Sequence, residues 1–440
     1  MNTSPAIARE AALDALLIVS EGEVPSQTAL AHSLHHHQVN DPRDRALTTE
    51  ILFGTLRWQS RVDARIAVHS QRGIDRLDLE TLCVLRIATY QLLFLERVPT
   101  HAVIHDAVNQ VKTRTDEPRA RFANAVLRKV AEAPKGVPSD DTTSIRGLAV
   151  QHGHPKWLVR QMRDAYGETE LTELCRAFSD PAPSVVRIRA SHRAETLAWL
   201  EETGRKGTAG TEPAAWILPG GIDPRNALPF ENGWWIAQDQ GSQRIVRRLD
   251  VQPGHHVLDI CAGSGSKTTQ IAEAALPTGS VVAVEQRRDQ VRALDDLMAR
   301  WKFTVDGHAL DATEPLPLPI DHFDRILVDA PCSGLGTIRR RPEIKWRRTP
   351  QDGFDLRELQ YALLRNAARH LRVGGRLVYS VCTFSTTECE DVIQAFLEDH
   401  PHFQPATDPG LDTLGSERTS PRDGMDGFYL AVLVRAEEPA

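Results

Sequence analysis

His256-Val-Leu-Asp-Ile-Cys-Ala-Gly-Ser-Gly-Ser-Lys-Thr-Thr-Gln-Ile-Ala-Glu-Ala274 is the stretch that decides how this chain folds. Residues 256–260 read as a strand, 261–268 as a loop of small residues, and Thr269 onward as a helix. That order makes a cofactor loop. Missing side chains let a ligand approach the backbone, and the helix N-terminus adds N–H donors. Glu285 closes the next β-rich run, about 20 residues beyond the glycines, where an acidic side chain accepts hydrogen bonds from ribose hydroxyls.

The same loop speaks against two ligand classes. Thr268 stands where a dinucleotide loop needs its third glycine. Ser266 precedes Lys267, and Cys261 stands where a phosphate loop needs glycine. A ligand without phosphates fits, and S-adenosylmethionine is the expectation.

Outward from this loop, β-rich runs at 257–260, Ser280–Glu285, Phe323–Asp329 and 375–380 alternate with helical patterns, notably 354–371. Alternation predicts an α/β domain with a doubly wound parallel sheet over 226–440. Ligands of such sheets sit beyond the strand carboxyl ends. Two cysteines fall there, in Asp329-Ala-Pro-Cys-Ser-Gly-Leu-Gly336 and in Tyr379-Ser-Val-Cys-Thr383. A lone cysteine is more often a small buried hydrophobe. Two at strand ends, one inside a Pro-Cys-Ser-Gly turn, point to chemistry. A thiolate is a strong nucleophile near neutral pH. Sequence chemistry leaves open whether Cys332 or Cys382 attacks.

Residues 1–135 read as an all-α bundle. Asp41-Pro42 is an N-cap with proline at the first helical position. Apolar residues then recur at helical spacing through Ile51, Leu85, Leu92, Val103, Val111 and Leu127, with Pro99 ending one helix. Residues 134–144 are rich in breakers and read as a linker. Residues 145–225 read as a small α+β module, with a helix near 157–166 and a strand at Val185-Val-Arg-Ile-Arg189.

The chain has 440 residues, 41% of them hydrophobic and 25% charged, an ordinary globular composition that predicts several domains. No apolar run reaches the ~20 residues that span a bilayer, and the first ten residues lack a signal-peptide pattern, so cytoplasm is the expected location. A net charge of −7 excludes binding to nucleic acid by bulk charge alone, though not a local basic surface. The six cysteines, Cys83, Cys175, Cys261, Cys332, Cys382 and Cys389, form no CxxC pair, so neither a disulfide scaffold nor a zinc site is expected. Cys261 is expected to pack under the cofactor, Cys83 in a helical core, and Cys175 and Cys389 as filler. His35-His-His37 share neither a helix face nor a strand face and read as a solvated loop rather than a metal site.

The Pro-Cys motif at 329–336, Arg340-Arg-Pro-Glu-Ile-Lys-Trp346, Tyr379-Ser-Val-Cys382 and Asp423-Gly-Met-Asp-Gly-Phe-Tyr429 together resemble the Sun-type (Nol/Nop/Sun) RNA cytosine-C5 methyltransferases. Asp44-Arg-Ala-Leu47, Tyr90-Gln-Leu-Leu93 and Arg97-Val-Pro-Thr-His101 resemble the NusB RNA-binding fold. That combination looks like the branch acting on small-subunit ribosomal RNA. The resemblance implies a NusB-like bundle, a small linking module and a Rossmann-like class I methyltransferase domain. It implies Cys382 as the nucleophile at cytosine C6, Cys332 as the group that helps remove the C5 proton and release Cys382, and Asp329 against the base edge and the methyl donor. It also implies an S-adenosylmethionine site from Cys261, Ala262, Gly263, Ser264, Gly265, Ser266 and Lys267 with Glu285 and Asp311. Ser264, Ser266 and Val381 depart from the family's usual proline, glycine and threonine, and none of them removes a reacting group. Gln238-Asp239 resemble a family feature that packs under the site.

Arg339, Arg340, Arg341, Lys345, Trp346, Arg347 and Arg348 crowd one stretch close behind Cys332 in sequence. Cations neutralise phosphates and an aromatic stacks on bases, so this run is the expected RNA contact. The target cytosine must leave its stack to meet a thiolate. A monomer without metal or membrane is the expectation. A transfer RNA methyltransferase and a non-catalytic RNA-binding assembly factor are the rival readings. DNA methylation ranks below both, because bacterial DNA cytosine methyltransferases resemble a pattern with the nucleophile in the Pro-Cys motif.

Overall fold

Asp41 opens a helix as its sequence dictates. Its carboxylate accepts the amides of Arg43 at 2.8 Å and Asp44 at 3.3 Å, while Pro42 fills the first helical position, where no donor is missed. This helix belongs to the first of two compact units in the computed structural model, Met1–Asp180 with Ile338–Thr349; the second is Pro181–Thr337 with Pro350–Ala440. The structure describes all residues except 1–4, 23, 71–72, 134, 137–140, 142, 221 and 438–440. The expected linker at 134–144 therefore lies largely outside the described residues. Ser144, at its end, caps the next helix through the Gly147 amide at 3.1 Å. Among the described residues no helix is long and apolar enough to cross a membrane.

The first unit is helical: α1 (Pro5–Glu21), α2 (Ser26–His36), α3 (Pro42–His69), α4 (Leu79–Phe94), α5 (Thr100–Arg114), α6 (Glu117–Glu132), α7 (Ile145–Gln151), α8 (Lys156–Tyr166) and α9 (Leu171–Ser179). Leu13, Leu16, Leu52, Ile66, Leu85, Val103 and Leu127 meet in one core. A side chain at position 54 would collide with the Tyr90 ring at 2.0 Å, so Gly54 is what lets α3 and α4 close on each other. α4 stops at Phe94, before Pro99, and Pro99 caps α5 instead. His35 and His36 end α2 rather than lying in a loop, and the His37 ring meets Asp14 at 2.6 Å.

The second unit carries two sheets. The small one comprises β1 (Val185–Ile188), β2 (Thr208–Ala209), β3 (Ala215–Ile217) and β4 (Trp235–Ala237) in the antiparallel order β2-β3-β1-β4, accompanied by α10 (Arg193–Glu202) and α11 (Leu228–Glu231). The 145–225 module expected from sequence is thereby divided. Helices α7–α9 pack with the helical unit, where Ser60 donates to the His154 carbonyl at 2.6 Å, and β4 lies beyond residue 225.

The large sheet follows α12 (Gln240–Leu249). Its elements are β5 (His256–Ile260), α13 (Ser266–Ala275), β6 (Ser280–Glu285), α14 (Arg288–Trp301), β7 (Asp306–Ala309) and β8 (Phe323–Asp329). The short α15 (Ile344–Arg347) belongs to the helical unit. Then come α16 (Pro350–Ala368), β9 (Leu371–Val381), α17 (Glu390–Asp399), β10 (Phe403–Pro405), β11 (Ser416–Arg418) and β12 (Tyr429–Arg435). Strand order is β10-β12-β9-β8-β5-β6-β7, with β11 on β12. β5 to β9 pair in parallel, while β12 and β10 run antiparallel, so the sheet is mixed rather than purely parallel. The chain leaves β5 toward β6 on one side and returns to β8 on the other. β5 is thus the switch point, where the carboxyl ends open a crevice.

Candidate active site

Beyond β5 the chain turns through three left-handed residues, Cys261 (φ 61°), Gly263 (φ 56°) and Gly265 (φ 89°). A Cβ on Gly263 would meet nothing within 4 Å, so this part of the loop presents bare backbone to open space. Glu285 spans the loop from the end of β6. Its Oε2 accepts the Gly263 amide and its Oε1 the Arg287 amide, each at 3.0 Å. Asp311 follows β7 and accepts the Thr313 hydroxyl at 2.7 Å, the Thr313 amide at 2.9 Å and Gln286 Nε2 at 3.1 Å. Those bonds, the Thr313 hydroxyl first, hold its carboxyl below the usual range. Cys261 packs partly against the core, and burial pushes its thiol up.

Lys267 turns inward. Its Nζ donates to Asp329 Oδ2 at 2.6 Å, Ser380 donates to Asp329 Oδ1 at 2.7 Å, and the Phe428 ring lies 5.6 Å from the ammonium. Burial opposes that ammonium, but Asp329 more than offsets it and holds the Lys267 pKa above its ordinary value. Ser380 and Phe428 escaped the sequence reading. Ser380 faces Asp329 only because β8 and β9 pair in register, which no local pattern announces.

The structure brings the two expected cysteines together, with Cys332 Sγ 3.2 Å from Cys382 Sγ. Contact with Cys382, and then burial, pushes the Cys332 thiol well up. The Gly336 amide donates to the Cys382 carbonyl at 3.0 Å, and the Gly427 amide to the Gly336 carbonyl at 2.9 Å. A Cβ at Gly336 would fall 1.6 Å from the Gly427 oxygen, so only glycine allows the 423–429 segment to lie against this loop. Asp239 in turn accepts the Asp426 amide at 3.0 Å, and Gln240 donates to the Gly424 carbonyl at 2.9 Å. Cys83, Cys175 and Cys389 are fully buried filler.

The basic run does not stand as its sequence suggested. Lys345 is buried in the helical unit, where its Nζ donates to the carbonyls of Arg57 and Gly153, each at 2.7 Å, and meets His154 Nδ1 at 3.3 Å. Trp346 donates to the Leu56 carbonyl at 2.6 Å and packs on the helical core, and Arg347 donates to the carbonyls of Val19, at 3.0 Å, and Val24. Arg339 is buried and donates to the Asp180 carbonyl at 3.2 Å. Arg340 is half-buried. Arg341 is exposed, 3.8 Å from a Glu343 oxygen. The physical reason is a break in α3 at Trp58, whose φ −105°, ψ 16° leave the helical region. A broken helix frees carbonyls, and Lys345 and Trp346 supply donors to those of Arg57 and Leu56.

Three family models match the chain: 16S rRNA methyltransferase RsmB/F over 246–434, NusB over 6–132, and the RsmF/B-like ferredoxin-like domain over 154–221. The "Probable ribosomal RNA small subunit methyltransferase B" of Bacillus subtilis is 34% identical over 96% of this chain and 97% of its own. The ribosomal RNA small subunit methyltransferase B of Pseudomonas putida is 32% identical over 97% and 98%. Among solved structures, PH0851 superposes with a TM-score of 0.81 at 26% identity, over 99% of this chain and 100% of that one. A methyltransferase homologue from Pyrococcus horikoshii, at 23% identity with a TM-score of 0.57, covers 66% of this chain and 97% of its own, and shares the fold. With identity above 30% along almost its whole length, the chain belongs to the RsmB family of small-subunit ribosomal RNA methyltransferases, which use S-adenosylmethionine.

Proposed function

We propose that this chain, acting as a monomer in the cytoplasm, methylates carbon 5 of a cytosine in small-subunit ribosomal RNA, the family resemblance naming cytosine 967. Cys382 is the nucleophile and Cys332 its proton-handling partner. The observation that carries this reading is the pair of sulfurs 3.2 Å apart beside the Lys267–Asp329 ion pair.

The crevice has a donor set suited to an adenosyl ligand. Gly263 offers bare backbone, and Glu285 and Asp311 are carboxylates already oriented by backbone amides at adjacent strand ends. Lys267 is committed to Asp329, which leaves it unavailable to a phosphate. S-adenosylmethionine, when bound, supplies the methyl group. The rest is the work of this chain's side chains. Contact with Cys382 and burial hold the Cys332 thiol well up, which leaves Cys382 as the sulfur to add, and the Lys267 ammonium lies near enough to act on it. Its addition to C6 forms a C–S bond and moves an electron pair toward C5, which then accepts methyl. Asp329, fixed by Lys267 and Ser380, holds the base edge near N3. Cys332, once its neighbour is a thioether, loses its proton to water and, as a thiolate, collects the one on C5 as Cys382 departs and the C5–C6 double bond returns.

The test is transfer of labelled methyl to protein-free small-subunit RNA, with the modified base mapped. Wild type should transfer, Cys382→Ala should be slower by roughly a thousandfold or more, and Cys332→Ala should accumulate a covalent protein–RNA adduct. Normal transfer by Cys382→Ala would remove the mechanism, and transfer only to transfer RNA would move the substrate.

A further inference from the structure

Behind both cysteine loops lies a carboxylate that none of these steps uses. Glu388, in the turn Thr386–Glu388 between β9 and α17, is fully buried. Its Oε2 accepts the Ser333 amide at 2.8 Å and Gln360 Nε2 at 3.1 Å, and its Oε1 accepts the Ser333 hydroxyl at 2.5 Å. Ser333 Oγ lies 2.9 Å from Thr383 Oγ1, which accepts the Ser385 amide at 3.3 Å. Ser333, Gln360 and Thr383 all donate to Glu388, which suits a group that only accepts. Ser333 donates to Glu388, and Thr383 Oγ1, which accepts the Ser385 amide, meets Ser333 Oγ and donates to Glu388 Oε1 at 3.5 Å. Ser333 directly follows Cys332, and Thr383 directly follows Cys382. Gln360 also donates to the carbonyl of Pro331, on the other side of Cys332, at 3.0 Å, and the Tyr379 hydroxyl holds the Glu388 carbonyl at 2.7 Å.

We propose that Glu388 is a positioning residue for methyl transfer, clamping the loop after β8 to the loop after β9 so that the Cys332 and Cys382 sulfurs stay 3.2 Å apart. The inference rests on the two-cysteine reading above. A buried carboxylate is costly where packing alone would serve. Here it joins the two cysteine loops, and an apolar side chain could satisfy none of its donors.

Glu388→Gln keeps the shape but replaces one acceptor by an NH2 group, which must face either the Ser333 hydroxyl or the Ser333 and Gln360 amides. The first readout is independent of methyl transfer. Diamide removes one hydrogen from each of two thiols, joining them as a disulfide while it is reduced to the hydrazine. The rate at which it couples Cys332 to Cys382, followed by peptide mapping, reports sulfur spacing. Coupling should slow about tenfold or more in Glu388→Gln. kcat should fall roughly 10- to 100-fold with KM for RNA and for S-adenosylmethionine within about threefold, as expected when geometry rather than binding is lost. Should that variant fail to fold, Thr383→Val cuts the link while sparing Glu388, and both rates should fall about threefold or more. Wild-type coupling and kcat in either folded variant would overturn the inference. Slowed coupling in a protein whose wild type methylates no RNA would uphold the clamp and bring down the proposed function instead.

Discussion

The loop at 261–268 and the basic run at 339–348 were both singled out by composition, and they fared oppositely. The loop forms the turn its small residues require, with Gly263 and Gly265 in the left-handed region and Glu285 drawn across it. The basic run turns Lys345, Trp346 and Arg347 into the helical unit. Glycine is a statement about the backbone, and the backbone around it is decided locally. A cation is a statement about a need for acceptors, and carbonyls meet that need as well as phosphates do. Val19 lies in the last turn of α1, where carbonyls lack helical partners, and Arg347 takes one of them. For Lys345, burial and then the Arg57 guanidinium push the pKa well down, while Cys175 acts the other way.

Exchanging the two lysines would break this contrast most sharply. Lys267→Met at the loop strands the Asp329 carboxylate beside the cysteines. Methyl transfer by the folded protein should drop by about 100-fold or more, with some loss of stability as well, because the carboxylate loses its partner. Lys345→Met in the run should leave the reaction of the folded protein intact and destabilise it by roughly 2–3 kcal/mol, because two buried carbonyls lose their donor. The RNA salt dependence decides between the two readings of the run. A phosphate contact at Lys345 would lower the log–log slope by about one unit on substitution. An unchanged slope with reduced stability is expected, and the reverse would return Lys345 to the RNA surface.

What the sequence disclosed follows the same line. The N-cap at Asp41, the strand–loop–helix at 256–274, Glu285 and the two cysteines were legible because each is a short-range pattern or sits at a strand end. Ser380 on Asp329, the division of the 145–225 module and the burial of Lys345 were not, because each depends on which distant element lies opposite. The break at Trp58 belongs with them. Nothing between Leu56 and Trp58 is a helix breaker, and the donors that use the freed carbonyls come from residues 345 and 346. Gly153 also stands against that break, where a Cβ would come within 2.5 Å of the Arg57 oxygen.

The smallest expected effect concerns how the protein treats buried ionisable groups. Lys345 is surrounded by acceptors. Asp259, in β5, is equally buried but takes only the Thr268 hydroxyl, at 2.7 Å, on Oδ2, and among the described residues its Oδ1 meets no donor. Burial therefore pushes the Asp259 carboxyl up to about 7. A raised carboxyl pKa means that the folded protein binds a proton the unfolded chain has already lost. Its stabilising effect is complete below the unfolded value near 4 and disappears as pH rises through about 7, with a slope of at most about 1.4 kcal/mol per pH unit between them. Asp259→Asn keeps an acceptor for Thr268 and carries no charge at any pH. Denaturant midpoints for the two proteins between pH 5 and 8 should diverge, with the wild type losing on the order of 1 kcal/mol per unit relative to the variant and levelling off above 7. Parallel curves would mean that the strand beneath the cofactor loop holds its carboxylate charged in spite of its burial.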